Sequence, residues 1–278
     1  MVNMNRLPVS ERAKILGLMV EGMSIRAISR VTGASKNTIA KLLMDVGTAC
    51  SKYQDTHLRN LQCQRLQLDE IWSFVGMKDK NVPQELKNTP GIGDTWTWTA
   101  IDADTKLIVS YMVGDRTRYA ANMFCHDLAK RIAGRVQLTS DGLAVYRDAV
   151  LGAFGDRVDF AQLVKTYSDA PKSPERKYSP VEFVCATKTP VSGDPDRRHI
   201  STSYVERQNL TMRMSMRRFT RLTNGFSKKV ENHIHALSLY FMHYNFAHIH
   251  QALRVTPAME AGVTDHVWSL EEIAALAD

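Results

Sequence analysis

The feature that most constrains the fold is an apolar run of eleven residues, 65–75 (RLQLDEIWSFV), with two adjacent acids, Asp69 and Glu70, in its middle. We interpret this run as a buried β-strand. An unpaired carboxylate in such a strand would be costly to bury. The run therefore predicts a sheet protein in which at least one of these acids has a charged partner.

The segments after this run predict alternating strands and helices. The predicted elements are two strands joined as a hairpin, a helix, a strand, a helix and a strand, at residues 95–103, 106–114, 117–133, 136–140, 143–154 and 158–167. Together with the first strand, this is the element order of a ribonuclease-H-like α/β domain, a mixed sheet flanked by helices.

A third acid, Asp141, directly follows the predicted strand 136–140 and precedes Gly142. Carboxylates brought together from separate strands repel one another, and they remain ionised chiefly when a divalent cation binds them. Oxygen ligands of this kind suit Mg²⁺ or Mn²⁺, and two such ions can catalyse an in-line displacement at phosphorus. The alternative is that Asp141 is an ordinary turn-forming residue before glycine.

Residues 199–218 (HISTSYVERQNLTMRMSMRR) predict a helix with a polar stripe. Glu206, Asn209, Arg213 and Arg217 follow one another at i, i+3, i+7 and i+11, on one face. An acid, an amide and two guanidinium groups in a row are typical of a metal ligand beside a strip that contacts phosphates. The alternative for Glu206 is a surface ion pair.

The first 50 residues predict two short helices, a tight turn at Gly33 and a third helix for which Ser35 is a good N-cap. This is the plan of an all-α helix-turn-helix domain. The exposed start of the third helix carries residues able to reach phosphates and base edges in a major groove: Lys36, Asn37, Thr38 and Lys41. The alternative is a three-helix packing or oligomerisation module.

The positive charge is concentrated in two zones. Residues 1–60 hold 9 Lys/Arg against 4 Asp/Glu, and residues 165–229 hold 14 against 6, within a chain whose formal net charge is +7. Such zones indicate a polyanionic partner, although each could also be a solvated surface.

Composition excludes several other classes of protein. With 44% hydrophobic and 23% charged residues, the chain is neither disordered nor rich in the long apolar runs of membrane proteins. The N-terminal residues lack the pattern of a secretory signal, so we expect a cytoplasmic, nucleoid-associated protein of a prokaryote. No cysteine has zinc-ligand spacing; the four are Cys50, Cys63, Cys125 and Cys185.

Three segments carry a resemblance to a known family. LDEIWSFVG (68–76), TSDGLAVYRDA (139–149) and YVERQNLTMRM–RRFTRLTNGFSKKVE (204–231) resemble the transposases of the bacterial insertion-sequence-one type, over about residues 66–250. The resemblance implies a ribonuclease-H-like fold and an Asp-Asp-Glu triad, Asp69, Asp141 and Glu206, that binds two Mg²⁺ or Mn²⁺ ions. Asp69 and Glu70 should point to opposite faces of their strand, and the resemblance selects Asp69 as the ligand.

The same resemblance implies double-stranded DNA as the partner: the terminal inverted repeats of the element and a target DNA. The chain would cleave one strand and transfer its end into the target. Besides the start of the third helix, the predicted DNA contacts are Asn209, Arg213, Arg217 and Lys228. Relatives of this type commonly have a zinc-binding segment before the helix-turn-helix, and the residues before Ser10 contain no cysteine.

We therefore predict a helix-turn-helix domain at 1–50, a linker at 51–64, a catalytic domain at 65–250 and a tail at 251–278 with a short acidic helix. The catalytic domain should contain a proline-rich insert, 168–198, that is either a DNA-contacting loop or a passive surface loop. We expect core packing or phosphate contact for the histidines near a helix at 227–244. A homodimer on DNA is predicted, with candidate contacts in the linker, the apolar side of 227–244 and the tail helix.

Two other functions remain open from the sequence. One is a helix-turn-helix transcription regulator without catalysis, in which the three acids are incidental. The other is a ribonuclease-H-like nuclease that cuts DNA but does not join strands.

Overall fold

The structure is a computed structural model that describes residues 6–87, 89–168, 183–220 and 224–278. Its helices are α1 (Val9–Val20), α2 (Ile25–Thr32), α3 (Lys36–His57), α4 (Arg118–Arg131), α5 (Val145–Phe154), α6 (Ser203–Ser215), α7 (Val230–Met242), α8 (Pro257–Glu260) and α9 (Leu270–Ala275). Its strands are β1 (Arg65–Val75), β2 (Gly93–Asp102), β3 (Ile108–Gly114), β4 (Val136–Ser140), β5 (Val158–Tyr167) and β6 (Phe183–Ser192). Within the described ranges, no helix has the length and apolar character needed to cross a membrane.

The strands form one mixed sheet in the order β3-β2-β1-β4-β5-β6. β1 is antiparallel to β2 and parallel to β4, and β4 is parallel to β5. A six-stranded mixed sheet flanked by helices is compatible with the ribonuclease-H-like fold that the element order predicts. The predicted bounds of β1, β4 and β5 are confirmed, because each is an apolar run that ends at turn-forming residues.

β6 lies in the insert 168–198, where the sequence predicts a loop, and that prediction is wrong for Phe183–Ser192. The strand pairs with β5 through its backbone, while its side chains are mostly exposed, so its sequence shows no alternation of apolar and polar residues. Pro190 lies where the register shifts, as expected for a proline at a sheet edge. Residues 169–182 of the insert lie outside the described residues.

The two faces of the sheet are covered by different helices. Trp98 of β2 contacts Phe124 of α4 and Tyr146 of α5, with ring centroids 6.1 and 5.5 Å apart. Tyr111, which pairs with the next residue along β2, instead packs on Phe241 of α7 at 4.6 Å. Because neighbouring residues of a strand point to opposite faces, α4 and α5 lie on one side and α7 on the other.

The three N-terminal helices form where the sequence predicts helices. Ser35 accepts a hydrogen bond from the Thr38 backbone N–H at 3.1 Å, and Gly33 has a φ of +74°. However, α3 does not stop before the predicted linker 51–64 but continues to His57. Its second half packs along α7 so closely that a Cβ at Gly47 would lie 2.6 Å from the Cβ of His235. The N-terminal helices are therefore packed against the sheet domain.

The C-terminal helix α9 forms as predicted, with a capping box between Ser269 and Glu272. It buries Ile273 against α1, and the Arg12 guanidinium donates to the Ala274 carbonyl at 3.0 Å and pairs with Asp278 at 2.7 Å. The tail helix and most of the apolar side of α7 are thus covered within the same chain, with Ile234 of α7 remaining 37% exposed. The homodimer stays a prediction.

Candidate metal centre

The acidic residues of β1 lie where two parallel strands part. The pairing of β1 with β4 ends at Leu68 and Ser140, while β1 continues for seven residues. Asp69, Glu70 and Asp141 are therefore the first residues beyond the paired region. One carboxylate oxygen from each of the three lies within 4.8 Å of the others. Among the described residues, no other three side chains of histidine, cysteine, aspartate or glutamate meet that spacing.

Asp69 is held from two sides. Its Oδ1 accepts the Glu70 backbone N–H at 2.9 Å, and its Oδ2 accepts from the Asn209 side-chain amide at 2.8 Å. The helix that carries Asn209 is fixed by Gln67, which lies on the same face of β1 and accepts the backbone N–H groups of Tyr204 and Val205 at 2.8 and 3.1 Å. The strand thereby positions both the carboxylate and the amide that holds it.

Glu70 lies on the opposite face of β1, as the alternation predicts, yet its carboxylate belongs to the same cluster. It is buried, accepts the Tyr146 hydroxyl proton at 2.9 Å and pairs with Arg116 at 2.6 Å. Two neighbouring acids can converge here because β4 has ended, so no strand separates their side chains. The resemblance selects Asp69 alone as the ligand on β1, and the adjacency of Glu70 to Asp69 is the sequence signal that points to Glu70 as well.

Asp141 combines the two roles that the sequence left open. Its Oδ1 accepts the Leu143 backbone N–H at 3.0 Å, which is the contact of a turn-forming residue. Its other oxygen lies 4.0 Å from the Arg116 guanidinium, and its carboxylate belongs to the acidic cluster. The Gln162 amide fixes the turn by donating to the Asp141 carbonyl at 2.9 Å.

Glu206, the third acid of the predicted triad, lies apart from this cluster in the first turn of α6. Both of its oxygens accept from the Lys165 ammonium, at 2.5 and 2.6 Å, and Oε1 also accepts from the Thr202 hydroxyl at 2.6 Å. It is still close enough to raise the pKa of Asp69 slightly. The structure thus brings two predicted ligands together with Glu70 and places Glu206 in an ion pair beside them.

The electrostatics of the cluster favour a bound cation. Burial, followed by the charges of Glu70 and Asp141, raises the pKa of Asp69 to about 7. The pKa of Glu70 is also raised, by burial and then by Asp141, despite its pairing with Arg116. The Oδ1 of Asn209 is buried beside the cluster and has no hydrogen-bond partner among the described residues. Carboxylate and amide oxygens in this arrangement fit Mg²⁺ or Mn²⁺.

The predicted DNA contacts occupy different environments. At the start of α3 four side chains are exposed: Lys36, Asn37, Thr38 and Lys41. Lys41 pairs with Asp45 at 2.6 Å. Lys228 is also exposed, and Arg213 is half-exposed on α6.

Two members of the predicted stripe on α6 differ from expectation. Asn209 is buried and belongs to the acidic cluster instead of an exposed strip. Arg217 lies beyond the helix, because α6 ends at Ser215 and Met216 is extended. Arg217 therefore begins a 3-10 turn and does not continue the helical row from Glu206.

The histidine of α7 that lies nearest the sheet belongs to the core. His233 is fully buried, and its ring nitrogens face the hydroxyls of Ser227 and Ser73 at 3.0 and 3.4 Å. Burial lowers its pKa to about 3, so the ring is neutral.

A scan against protein-family models and a search of curated proteins return no match to the chain. Among solved structures it is similar to the piggyBac transposase synaptic complex with hairpin DNA, with a TM-score of 0.44 and 12% identity over 97% of this chain and 69% of that chain. It is also similar to the Mos1 transposase paired-end complex with left transposon end (TM-score 0.23, 12% identity, 55% of this chain and 59% of that one). The Mos1 strand transfer complex is similar with a TM-score of 0.24 and 10% identity, over 84% of this chain and 77% of that chain. At TM-scores below 0.5 these similarities do not establish a family, and the insertion-sequence-one type remains a resemblance of sequence motifs.

Proposed function

We propose that the chain is a DNA transposase that binds the terminal inverted repeats of its element, cuts one strand in a metal-dependent reaction and joins the new 3′ end to target DNA. The observation that carries the proposal is the convergence of Asp69, Glu70 and Asp141 where β1 and β4 part. Three carboxylates buried or half-buried at one point destabilise a chain unless they bind a cation, and such clusters concentrate at functional sites.

In this proposal Asp69 and Asp141 hold two Mg²⁺ or Mn²⁺ ions, which when bound supply charge neutralisation and an activated oxygen nucleophile. The residues around them keep the ligands in place. Asn209 orients Asp69 through its amide, and Tyr146 and Arg116 orient Glu70. Because these contacts exist before DNA binds, little reorganisation is needed when charge develops at the phosphorus.

Glu206 is proposed as the third acid through the resemblance. Its carboxylate would have to leave Lys165 to join the cluster. The released ammonium would then lie beside the site, where it could contact a phosphate of the bound strand. Substitution of Lys165 therefore affects both the freedom of Glu206 and the binding of the strand.

The proposed contacts with the element ends lie at the exposed start of α3, and Arg213, Arg217 and Lys228 would contact the backbone elsewhere. Transfer of two ends needs two active sites at a fixed separation, and a twofold homodimer assembled on DNA is the simplest arrangement that provides them.

One assay separates transposition from the two rival functions. Labelled duplexes with the end sequences of the element are incubated with the protein, Mg²⁺ and a supercoiled plasmid. A transcription regulator would bind without cutting, a nuclease would cut without joining, and a transposase yields labelled plasmid. Failure to cut with either Mg²⁺ or Mn²⁺ would exclude the proposed function.

Variants assign the acids within the same assay. Asp69→Asn, Asp141→Asn and Glu206→Gln should each abolish cutting and joining while end binding persists, because ligands of shared ions act as a unit. The exposed Glu271 provides the control Glu271→Gln, which should retain full activity. Activity within tenfold of the parent in any of the three removes that acid from the site.

A further inference from the structure

A cavity of about 730 Å³ lies between the N-terminal helices and the turn that follows α6. We call it the junction pocket. Its walls come from the corner between α1 and α2, from residues 216–218 and 224–228, and from one side of α7. Its floor is apolar and includes Leu43, Leu239 and Tyr240. A cavity of this size is in the range of small-molecule sites and exceeds what a single phosphate group fills.

The charge of the junction pocket has one sign. Of the described residues that line it, four are cations and none is Asp or Glu. The cations are Arg26, Arg217, Arg218 and Lys228. Within the part of the chain that the structure describes, none of the four lies within 4.0 Å of a carboxylate oxygen. Four positive charges around one cavity, without an ion-pair partner among the residues described, favour an anionic ligand there.

Arg218 is the cation most strongly removed from water. Its Nη1 donates to the Ser227 hydroxyl at 2.5 Å, and that hydroxyl also contacts Nδ1 of the neutral His233 at 3.0 Å. Burial lowers the pKa of Arg218 to about 10. Arg218 is half-buried, and a partly desolvated guanidinium beside two neutral groups destabilises the free protein. An anionic ligand would offset that effect.

The walls of the junction pocket are held by close backbone approaches. Gly22 has a φ of +78°, and a Cβ there would lie 2.7 Å from the Ser215 carbonyl oxygen. A Cβ at Gly225 would lie 2.8 Å from the Arg217 carbonyl oxygen. The Ser227 carbonyl accepts the Gly76 N–H at 2.8 Å, which ties the far wall to the end of β1. The pocket is therefore formed before any ligand binds.

We infer that the junction pocket binds one unpaired nucleotide of a DNA strand, with its phosphate on the cations and its base on the apolar floor. Arg forms paired, charge-assisted hydrogen bonds to phosphate, and the half-buried Phe226 supplies aromatic surface for a base, while Tyr240 is buried beneath it. A duplex phosphate alone would leave the floor uncovered, whereas a nucleotide fills both parts of the cavity.

The distance between the pocket and the acidic cluster would allow one DNA strand to contact both. Ser215 follows Glu206 by nine positions in α6, a distance of about 14 Å along the helix. Val75 follows Asp69 by six positions in β1, about 20 Å along the strand. The inference rests on the proposed function for the identity of the polymer, because it takes the nucleotide to belong to the DNA that the acids cut.

The test measures binding of the full chain to labelled duplexes by fluorescence anisotropy at fixed salt and in EDTA. The duplexes are blunt, carry a three-nucleotide single-stranded end, or carry the same end without bases. We expect the single-stranded end to increase affinity at least tenfold over the blunt duplex, and the abasic end to lose that gain. Equal affinity for all three duplexes would overturn the inference. Displacement of the overhang duplex by free dAMP at equal concentration would overturn the assignment to DNA.

Two neighbouring lysines provide a matched pair of variants. Lys228→Gln removes a lining cation and should abolish the gain from the single-stranded end, whereas Lys229→Gln changes an exposed residue outside the lining and should retain it. Arg218→Met should also abolish the gain while raising the melting temperature of the free protein, since it removes a desolvated charge. A lower melting temperature together with an unchanged gain would show that Arg218 is structural and overturn its role.

Failure of this inference and failure of the proposed function are distinguishable. If the proposed chemistry is wrong, the parent does not cut DNA with metal, and the preference for a single-stranded end in EDTA is unaffected. If the pocket assignment is wrong, Lys228→Gln leaves that preference unchanged, while the parent protein still cuts DNA with metal.

Discussion

The acidic cluster makes one quantitative prediction about the metal-free protein: Asp69→Asn should stabilise it at alkaline pH. The pKa of Asp69 rises from 3.8 to about 7 on folding. Since about 1.4 kcal/mol corresponds to each tenfold change in proton affinity, ionised Asp69 lowers the free energy of unfolding by roughly 4 kcal/mol at pH 8. Asn can replace only one of the two acceptor oxygens, so the variant loses one hydrogen bond, which costs about 1–2 kcal/mol of stability. The expected net gain is about 2–3 kcal/mol.

The sign of the pH dependence follows from the raised pKa. The destabilisation is absent below about pH 4, where the carboxyl is protonated in both states, and it is complete above the folded pKa near 7. The gain from Asp69→Asn should therefore be about 2–3 kcal/mol smaller at pH 5 than at pH 8.

Urea unfolding in EDTA at both pH values measures this difference, with Asp156→Asn as a control for loss of an exposed acid. Addition of Mn²⁺ at a hundred times its dissociation constant should stabilise the parent by about 2.7 kcal/mol, and the variant by less. If Asp69→Asn changed the free energy of unfolding equally at pH 5 and pH 8, the prediction would be refuted. Ionisation of Asp69 would then have no effect on stability.

Three further predictions concern parts of the molecule outside the metal ligands. Tyr146→Phe removes the hydroxyl that donates to Glu70 in a buried site and should lower the free energy of unfolding by about 1–3 kcal/mol in a urea titration; an unchanged midpoint would mean that the bond contributes nothing. Gly47→Ala forces α3 away from α7 and should destabilise the protein by at least about 1–3 kcal/mol. The matched Gly152→Ala, with open space around its Cβ in α5, should stabilise it slightly by helix propensity, so equal effects would contradict the packing described here. A triple alanine variant at the start of α3 should bind element ends more weakly and with a reduced dependence on salt, as measured by anisotropy at several salt concentrations; an unchanged salt slope would exclude α3 as the DNA reader. The replaced residues are Lys36, Asn37 and Lys41.

The sheet could be predicted from the sequence where burial left a periodic signal. β1, β4 and β5 have the predicted bounds because, in the sequence, each is a largely apolar segment followed by residue types that favour turns. β6 could not be predicted, because backbone pairing at an exposed sheet edge imposes no hydrophobic pattern. The full length of α3 could not be predicted for a related reason: its second half packs through Gly47, Cys50 and Gln54, which do not form a continuous apolar stripe.

The candidate site could be predicted in part. The sequence places Asp69 within a buried strand and Asp141 at the end of another, and the structure brings them together. The convergence of Glu70 depends on where β4 stops relative to β1, which is a matter of strand register that no local pattern contains. The pairing of Glu206 with Lys165 joins residues of α6 and β5, and only the tertiary structure reveals it.

Mn²⁺ binding to the acidic cluster tests the central claim most directly. Electron paramagnetic resonance of Mn²⁺ titrated into the metal-free protein counts the bound ions and gives their affinity without requiring DNA or turnover. The parent should bind Mn²⁺, Asp69→Asn and Asp141→Asn should each lose at least tenfold in affinity, and Glu271→Gln should match the parent. Equal Mn²⁺ affinity in the parent and in both aspartate variants would contradict the assignment of these acids as metal ligands.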